Sequence, residues 1–421
     1  MAAPILTRRQ ALMAALACGL AAPALARASA PSLRVGAILP LAGRGLPEAA
    51  VNLSIPAEAA RKGLVLALDD LERATPQGTT PHQLLLANAP EADSARRAAE
   101  RLVEHDRATV LIGGFSAGDA RAIGQVAQAA GALFINIAAP AEDLRAEFCT
   151  GPALHVEAGA GTYLSALAGL YQSQGRRRWH LIHQDDPAGQ ALLAQAQADL
   201  PHMGAEIAGI SRVTGDSTLF RPALAELANS GADAALMLTD WLVQLNLLAT
   251  AESEGAAVPL TGFPWTATQT REFYNRARQL APTLAPSPRV ALWEARLDSP
   301  EAAALSADFL ARWRVPMDAP AWASQAALRM AADATQATGS TRGSDLAAWL
   351  SAPARRPALG KHAAFDPADG QLRQPLYAVR INPAASSDLT PQAMTERAEL
   401  IGQIDPQPAA AADCRTAARA G

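Results

Sequence analysis

The 421-residue chain is half hydrophobic, long enough for two domains with a sizeable core. Its formal net charge is −4 and it carries no basic patch, which argues against a nucleic-acid partner. Aromatic residues make up only 5 % and seven of them are Trp, so where the indoles fall carries information.

The chain opens on Thr7-Arg8-Arg9-Gln10-Ala11-Leu12-Met13, a twin-arginine pattern followed by a short apolar run to Leu25. Ala24-Leu25-Ala26 and Ala26-Arg27-Ala28 offer small-residue cleavage sites, so residues 1–28 read as a signal peptide directing export to the periplasm. The run is too short and alanine-rich for a membrane span. A lipoprotein leader at Cys18 is the alternative, but Ala15-Leu16-Ala17 fits that motif poorly. In an oxidising compartment Cys149 and Cys414 either bridge or stay as two separate thiols.

After the leader, strands and helices alternate. Leu33–Leu39, Gln83–Ala87, Thr109–Ile112 and Ala132–Ile137 read as strands, with helices over Ala57–Glu72, Ala92–His105 and Ala120–Ala130 between them. A second series begins with helix Gly161–Gln174. Its strands are Trp179–His183, Glu206–Val213, Ala234–Leu238, Val258–Gly262 and Val290–Glu294, and its last helix is Thr268–Leu280. Helices Pro300–Trp313, Pro320–Ala337 and Ser344–Leu350 then come in succession, and Leu376–Ile381 is a final strand. Such βα repeats predict an α/β fold, two doubly wound parallel-sheet lobes joined by a hinge. The first lobe takes residues 29–157 and 298–355, the second 158–297 and 356–382, and 383–421 read as a loose tail rich in Pro, Ala and Ser.

In open α/β sheets ligands sit at the carboxyl ends of the strands. Two such ends, Gly113–Asp119 and Asn136–Glu142, should line one crevice. Phe115, Ser116 and Ala117 lie in the first and Asn136 and Ala138 in the second. Ser116 either offers its hydroxyl to a ligand or caps its own helix. Asn136 either orients a ligand or satisfies local backbone. In the second lobe, Trp241 and Trp265 follow strand ends, where an indole stacks on a flat ligand or packs the lobes together. Trp322 starts a late helix near the presumed hinge. Asp185 and Asp240 sit at the rim, as hydrogen-bond acceptors or helix caps. Catalysis finds no support: there is no Gly-x-Ser-x-Gly elbow and no Walker loop, and the seven His residues show no metal spacing. No cofactor or metal is expected.

The element order and four stretches resemble the type I periplasmic binding proteins of ABC transporters, the branched-chain amino-acid-binding group. They are RVGAILPLAG (34–43), ARKGLVLALDDLE (60–72), AERLVEHDRATVLIGGFSAGDARAI (99–123) and FDPADGQL (365–372). LFINIAAPAEDLRAEFCTGPALHV (133–156), GRRRWHLIH (175–183) and DGQLRQPLY (369–377) are similar to a subgroup associated with PQQ-dependent alcohol dehydrogenase systems. The resemblance implies a monomeric Venus-flytrap receptor that closes on a small-molecule solute and meets an ABC transporter permease in the inner membrane. Pro140, Ala188 and Pro264 stand where amino-acid binders of this group carry threonine, tyrosine and glutamate. With Phe115, Trp241, Trp265 and Trp322 in their place, the ligand is expected to be other than an ordinary α-amino acid. The competing reading is a protein-interaction module on the same fold. ILPLAGRG (38–45) is also similar to the opening motif of periplasmic activators of peptidoglycan synthases.

Overall fold

A computed structural model of the chain describes residues 31–42, 48–75, 80–352 and 363–405. The leader with Cys18, and Cys414, lie outside the described residues. The first series runs β1 (Arg34–Leu39), α1 (Glu48–Ala74), β2 (Gln83–Asn88), α2 (Ala92–Glu104), β3 (Val110–Gly113), α3 (Ala117–Ala130), β4 (Leu133–Asn136), α4 (Asp143–Phe148) and β5 (Ala153–His155). The second runs α5 (Ala160–Gln172), β6 (Arg178–Gln184), α6 (Pro187–His202), β7 (Glu206–Val213), α7 (Phe220–Asn229), β8 (Ala234–Leu238), α8 (Trp241–Ser253), β9 (Leu260–Gly262), α9 (Arg271–Leu280) and β10 (Arg289–Ala291). Then follow α10 (Pro300–Trp313), α11 (Ala319–Thr338), α12 (Gly343–Leu350), β11 (Ala364–Phe365), β12 (Leu372–Arg373), β13 (Leu376–Ile381), α13 (Pro391–Thr395) and β14 (Ala398–Ile404).

Two parallel sheets result, ordered β2-β1-β3-β4-β5 and β7-β6-β8-β9. Strands β3, β4 and β8 are buried at every position, because helices cover both faces of the sheet. That is why they read as unbroken apolar runs rather than as alternations. The winding direction reverses between β1 and β3 in one sheet and between β6 and β8 in the other. Those two switch points are where a doubly wound sheet opens a crevice.

The late helices return to the first sheet. α11 crosses α1 so closely that a Cβ on Gly63 would lie 2.0 Å from the Ala321 carbonyl oxygen. Only glycine fits there, and Ser324 Oγ adds a bond to the Ala60 carbonyl at 2.8 Å.

Three expectations need correction. The first long helix begins at Glu48 rather than Ala57 and carries Pro56 inside it. The helix expected over Thr268–Leu280 is a 3-10 turn (Thr266–Gln269) followed by α9, with Thr270 capping α9 through Phe273 N at 3.3 Å. The stretch after Pro383 is not loose throughout. It forms α13 and then β14, which pairs antiparallel with β13 in a third sheet ordered β10-β13-β14. Ala291, Val379, Ile381 and Ala398 of this sheet share a core with Trp241, Phe273 and Tyr274, so it packs on the second lobe. Arg278 anchors the same stretch by donating to the Ala385 carbonyl at 2.8 Å, and Arg397 does so by donating to the Asp388 carbonyl at 3.0 Å. Composition misled here because the short edge strand AELIGQI is mostly only half-buried and follows a stretch rich in Pro, Ala and Ser.

Candidate functional site

The loop after β3 turns at Gly114, whose φ of +88° favours glycine, and a Cβ there would also lie 2.9 Å from Asn136 Oδ1. The turn delivers Phe115, which is buried, and Ser116, which is exposed and caps α3 by accepting from Asp119 N at 3.1 Å. Ala117 opens the helix half-buried beside it.

At the end of β4, Asn136 is fully buried and engaged with its own loop. Its Oδ1 accepts from Ala138 N and Ala139 N (3.3 and 3.0 Å), and its Nδ2 donates to the Ala139 carbonyl at 2.8 Å. Its Nδ2 also lies 3.1 Å from His155 Nδ1 on β5. The loop it shapes turns the Ala138 carbonyl outward, where Thr266 Oγ1 of the second lobe donates to it at 3.0 Å. The two lobes therefore touch at a predicted ligand loop.

The loops of the second lobe are cross-linked in turn. Trp265, half-buried, donates its indole N–H to the Thr239 carbonyl at 2.9 Å and sets its edge against Phe263, with ring centroids 5.0 Å apart. Asp240 caps α8 through Val243 N (2.9 Å), and its backbone N–H and carboxylate both meet the side chain of Gln184 (2.9 and 3.1 Å). Ala138, Thr266, Trp265, Thr239, Asp240 and Gln184 thus form one run of contacts along the carboxyl ends of β4, β6, β8 and β9. The other candidates stand apart from it. Asp185 is exposed and pairs with Arg212 at 2.9 Å. Trp241 is built into the core of the second lobe under the guanidinium of Arg276, 5.5 Å from its ring centroid. Trp322 is buried and stacks on Trp293, with centroids 5.4 Å apart and planes 8° from parallel.

Two buried polar clusters were not foreseen. In one, Arg271 donates from Nη2 to Glu294 Oε1 (2.5 Å) and from its backbone N–H to Asp318 Oδ2 (3.0 Å), with Nη1 3.4 Å from Asp318 Oδ1. Burial pushes the Asp318 carboxyl up to about 6, against the pull of Arg271. Asp318 precedes α11, while Arg271 opens α9, so this cluster also joins the lobes. The other lies where the chain passes between them. Arg145 donates to Gln371 Oε1, to the Ala141 carbonyl and to the Glu157 carbonyl at 2.7, 2.8 and 2.7 Å. Tyr163 donates its hydroxyl to Glu157 Oε1 (2.8 Å) and receives Gln269 Nε2 (3.2 Å); Gln269 Oε1 takes the Leu292 N–H at 2.7 Å. Burial drives the Glu157 carboxyl up to about 8. Only Glu294 carried a readable signal, since it ends a predicted strand. The rest sit in helices and turns where sequence shows no partner.

No group of three His, Cys, Asp or Glu side chains able to hold a metal occurs among the described residues. Cys149, after α4, is disulfide-bonded; its expected partner Cys414 lies outside the described residues.

A family model described as periplasmic binding protein matches residues 32–388. No curated protein matches the chain significantly in sequence. Solved structures do match in fold. A branched-chain amino acid ABC transporter periplasmic ligand-binding protein from Burkholderia xenovorans is 17 % identical with a TM-score of 0.75, covering 89 % of this chain and 96 % of its own. An amino acid ABC transporter substrate-binding protein from Pseudomonas fluorescens gives the same identity and score over 92 % and 99 %. An ABC transporter solute-binding protein from R. palustris, in complex with benzoate, is 18 % identical with a TM-score of 0.69 over 91 % and 99 %.

Proposed function

Because the chain belongs to the periplasmic binding protein family, we propose that it is the solute receptor of an ABC transporter. It captures a small ligand other than an ordinary α-amino acid between its lobes and presents the closed form to an inner-membrane permease. It binds and does not catalyse. The observation that carries this reading is the bond from Thr266 to the Ala138 carbonyl, which brings the strand-end loops of the two lobes together. The apolar strand ends at Phe115, Phe263 and Trp265 support a ligand outside the amino-acid class. A solved structure similar in fold was obtained in complex with benzoate, a flat aromatic carboxylate, which supports including aromatic acids among the candidates.

A ligand can shift an open–closed equilibrium only by binding the closed form better. Tryptophan fluorescence and melting temperature are therefore expected to respond saturably to one class among alcohols, aldehydes, amides and aromatic acids. Silence in both readouts across all four would sink the receptor reading. Residues 1–28 are read as the twin-arginine leader that exports it. The bond from Cys149 is assigned to Cys414, so peptide mapping without reductant should recover a linked Cys149–Cys414 pair. A different partner for Cys149 would refute that assignment.

A further inference from the structure

Asp318 stands at the N-cap of α11, where an aspartate ordinarily accepts an N–H from its own helix. Its side chain makes no such bond. The carboxylate is turned across the lobe junction instead. Oδ2 accepts the backbone N–H of Arg271, the first residue of α9, at 3.0 Å, and Oδ1 lies 3.4 Å from Arg271 Nη1. A side chain from the start of one helix thus satisfies an orphan donor at the start of another.

The two helices belong to different packing units. α11 lies on α1 of the first lobe through Gly63 and Ser324. Phe273, Tyr274 and Ala277 of α9 are built into the core of the second. Arg271 stays on that side by two further bonds, from Nη2 to Glu294 Oε1 at 2.5 Å and from Nε to the Met394 carbonyl at 3.3 Å. Parting the lobes would therefore break its bonds to Asp318 and spare the others. Asp318 is also the member nearest water: its side chain is 14 % exposed, against 7 % for Arg271 and none for Glu294. Pro320 has no N–H, so a freed Asp318 carboxylate can take the N–H of Ala321, the third residue of its own helix. Arg271 meanwhile keeps Glu294 as its counter-charge. Either arrangement leaves both charges with partners.

We propose that Asp318 is a two-position latch, capping α9 across the junction when the lobes are closed and its own α11 when they part. This inference rests on the receptor reading above, in which the lobes hinge.

Proton linkage gives the latch a pH dependence. The groups around Asp318 are Arg271 and Tyr274 of α9, Glu294 after β10, Lys62 of α1 and Arg397 before β14. In the closed arrangement burial raises the Asp318 carboxyl from 3.8 to about 6, against the pull of Arg271. Water around a released carboxylate returns it towards 3.8. The closed form thus binds this proton more tightly, so closure strengthens as pH falls from about 6 to about 4 and is indifferent to pH above that range. The bond from Thr266 to the Ala138 carbonyl, which also joins the lobes, does not titrate.

Arg97→Cys on α2 and Gln197→Cys on α6, both at exposed positions, carry a fluorophore pair, and single-molecule energy transfer reads the distance between lobes in the full chain at pH 7 and pH 4.5. Two distances are expected, with the open-to-closed ratio at least about tenfold lower at pH 4.5. Asp318→Ala, which cannot bridge, should raise that ratio about tenfold at pH 7, the scale of one hydrogen bond to a charged group. Asp318→Asn, which keeps an acceptor but does not titrate, should give the same ratio at both pH values. Equal ratios at the two pH values in the unaltered protein overturn the latch even if neither variant folds. So does an Asp318→Asn variant that keeps the full pH response, or an Asp318→Ala variant whose ratio is unmoved. In those cases two distances leave the hinged receptor standing; one fixed distance under every condition removes both.

Discussion

Arg271→Met is expected to cost about 3–5 kcal/mol of folding stability, the range seen when one partner of a buried ion pair is removed. The guanidinium is buried between Glu294 and Asp318 and also donates from Nε to the Met394 carbonyl at 3.3 Å. Methionine fills much of the same volume but leaves two carboxylates facing each other without a counter-charge. Asp318 already lies near the edge of ionisation, held up to about 6 by burial. Without Arg271 it should take up a proton near neutrality, so the deficit should be smaller in acid than at pH 8. Urea unfolding at the two pH values measures both effects. A loss under about 1 kcal/mol, the level of an exposed pair, would mean that the cluster contributes no more than surface charges do.

The second large effect concerns Glu157. Its carboxyl is raised by burial to about 8, although Tyr163 and Arg145 act in the opposite direction. Below about pH 4.5 the folded and unfolded chains both hold this proton, so the group costs nothing there. As pH rises from there towards 8, the unfolded chain releases the proton first and the folded state loses stability, by up to about 1.4 kcal/mol per pH unit. Glu157→Gln keeps an acceptor for Tyr163 and removes the titration. The variant is therefore expected to gain on the unaltered protein by a few kcal/mol between pH 5 and pH 8. Buried His155 nearby has its pKa lowered by burial and by Arg145, and works the other way, losing stability as pH falls through its unfolded value near 6.5. For that reason the difference between variant and parent is the quantity to read. A difference that stays flat from pH 5 to pH 8 would show that Glu157 is not protonated in the folded chain.

The alternation of strands and helices was legible because each parallel strand is short, apolar and buried on both sides, as in VLIG, LFIN and AALML. The strand ends were legible for the same reason, and with them the loops at Gly113 and Asn136. What each polar side chain does there was not. Asn136 folds back on bonds two and three residues away, and Asp240 is shared between its own helix and Gln184, 56 residues earlier. Arg271 meets Asp318 across 47 residues, and Arg145 meets Gln371 across 226. Such partners are chosen by tertiary packing, and no local pattern announces them. Trp241 misled for a related reason: it stands at a strand end, but as the first residue of α8 it turns into the core.

The pairing of β14 with β13 also bears on how far the polypeptide can be shortened. A chain cut back to Pro383 would keep every strand of the two parallel sheets, yet it would strip the outer neighbour from Leu376–Ile381. Val379 and Ile381, fully covered in the intact molecule, would then border water on that flank, and Arg278 would have no carbonyl at Ala385 to hold. Any trimming therefore belongs beyond Ile404 rather than at the proline, and beyond Cys414 if the bridge assigned to Cys149 is to be kept.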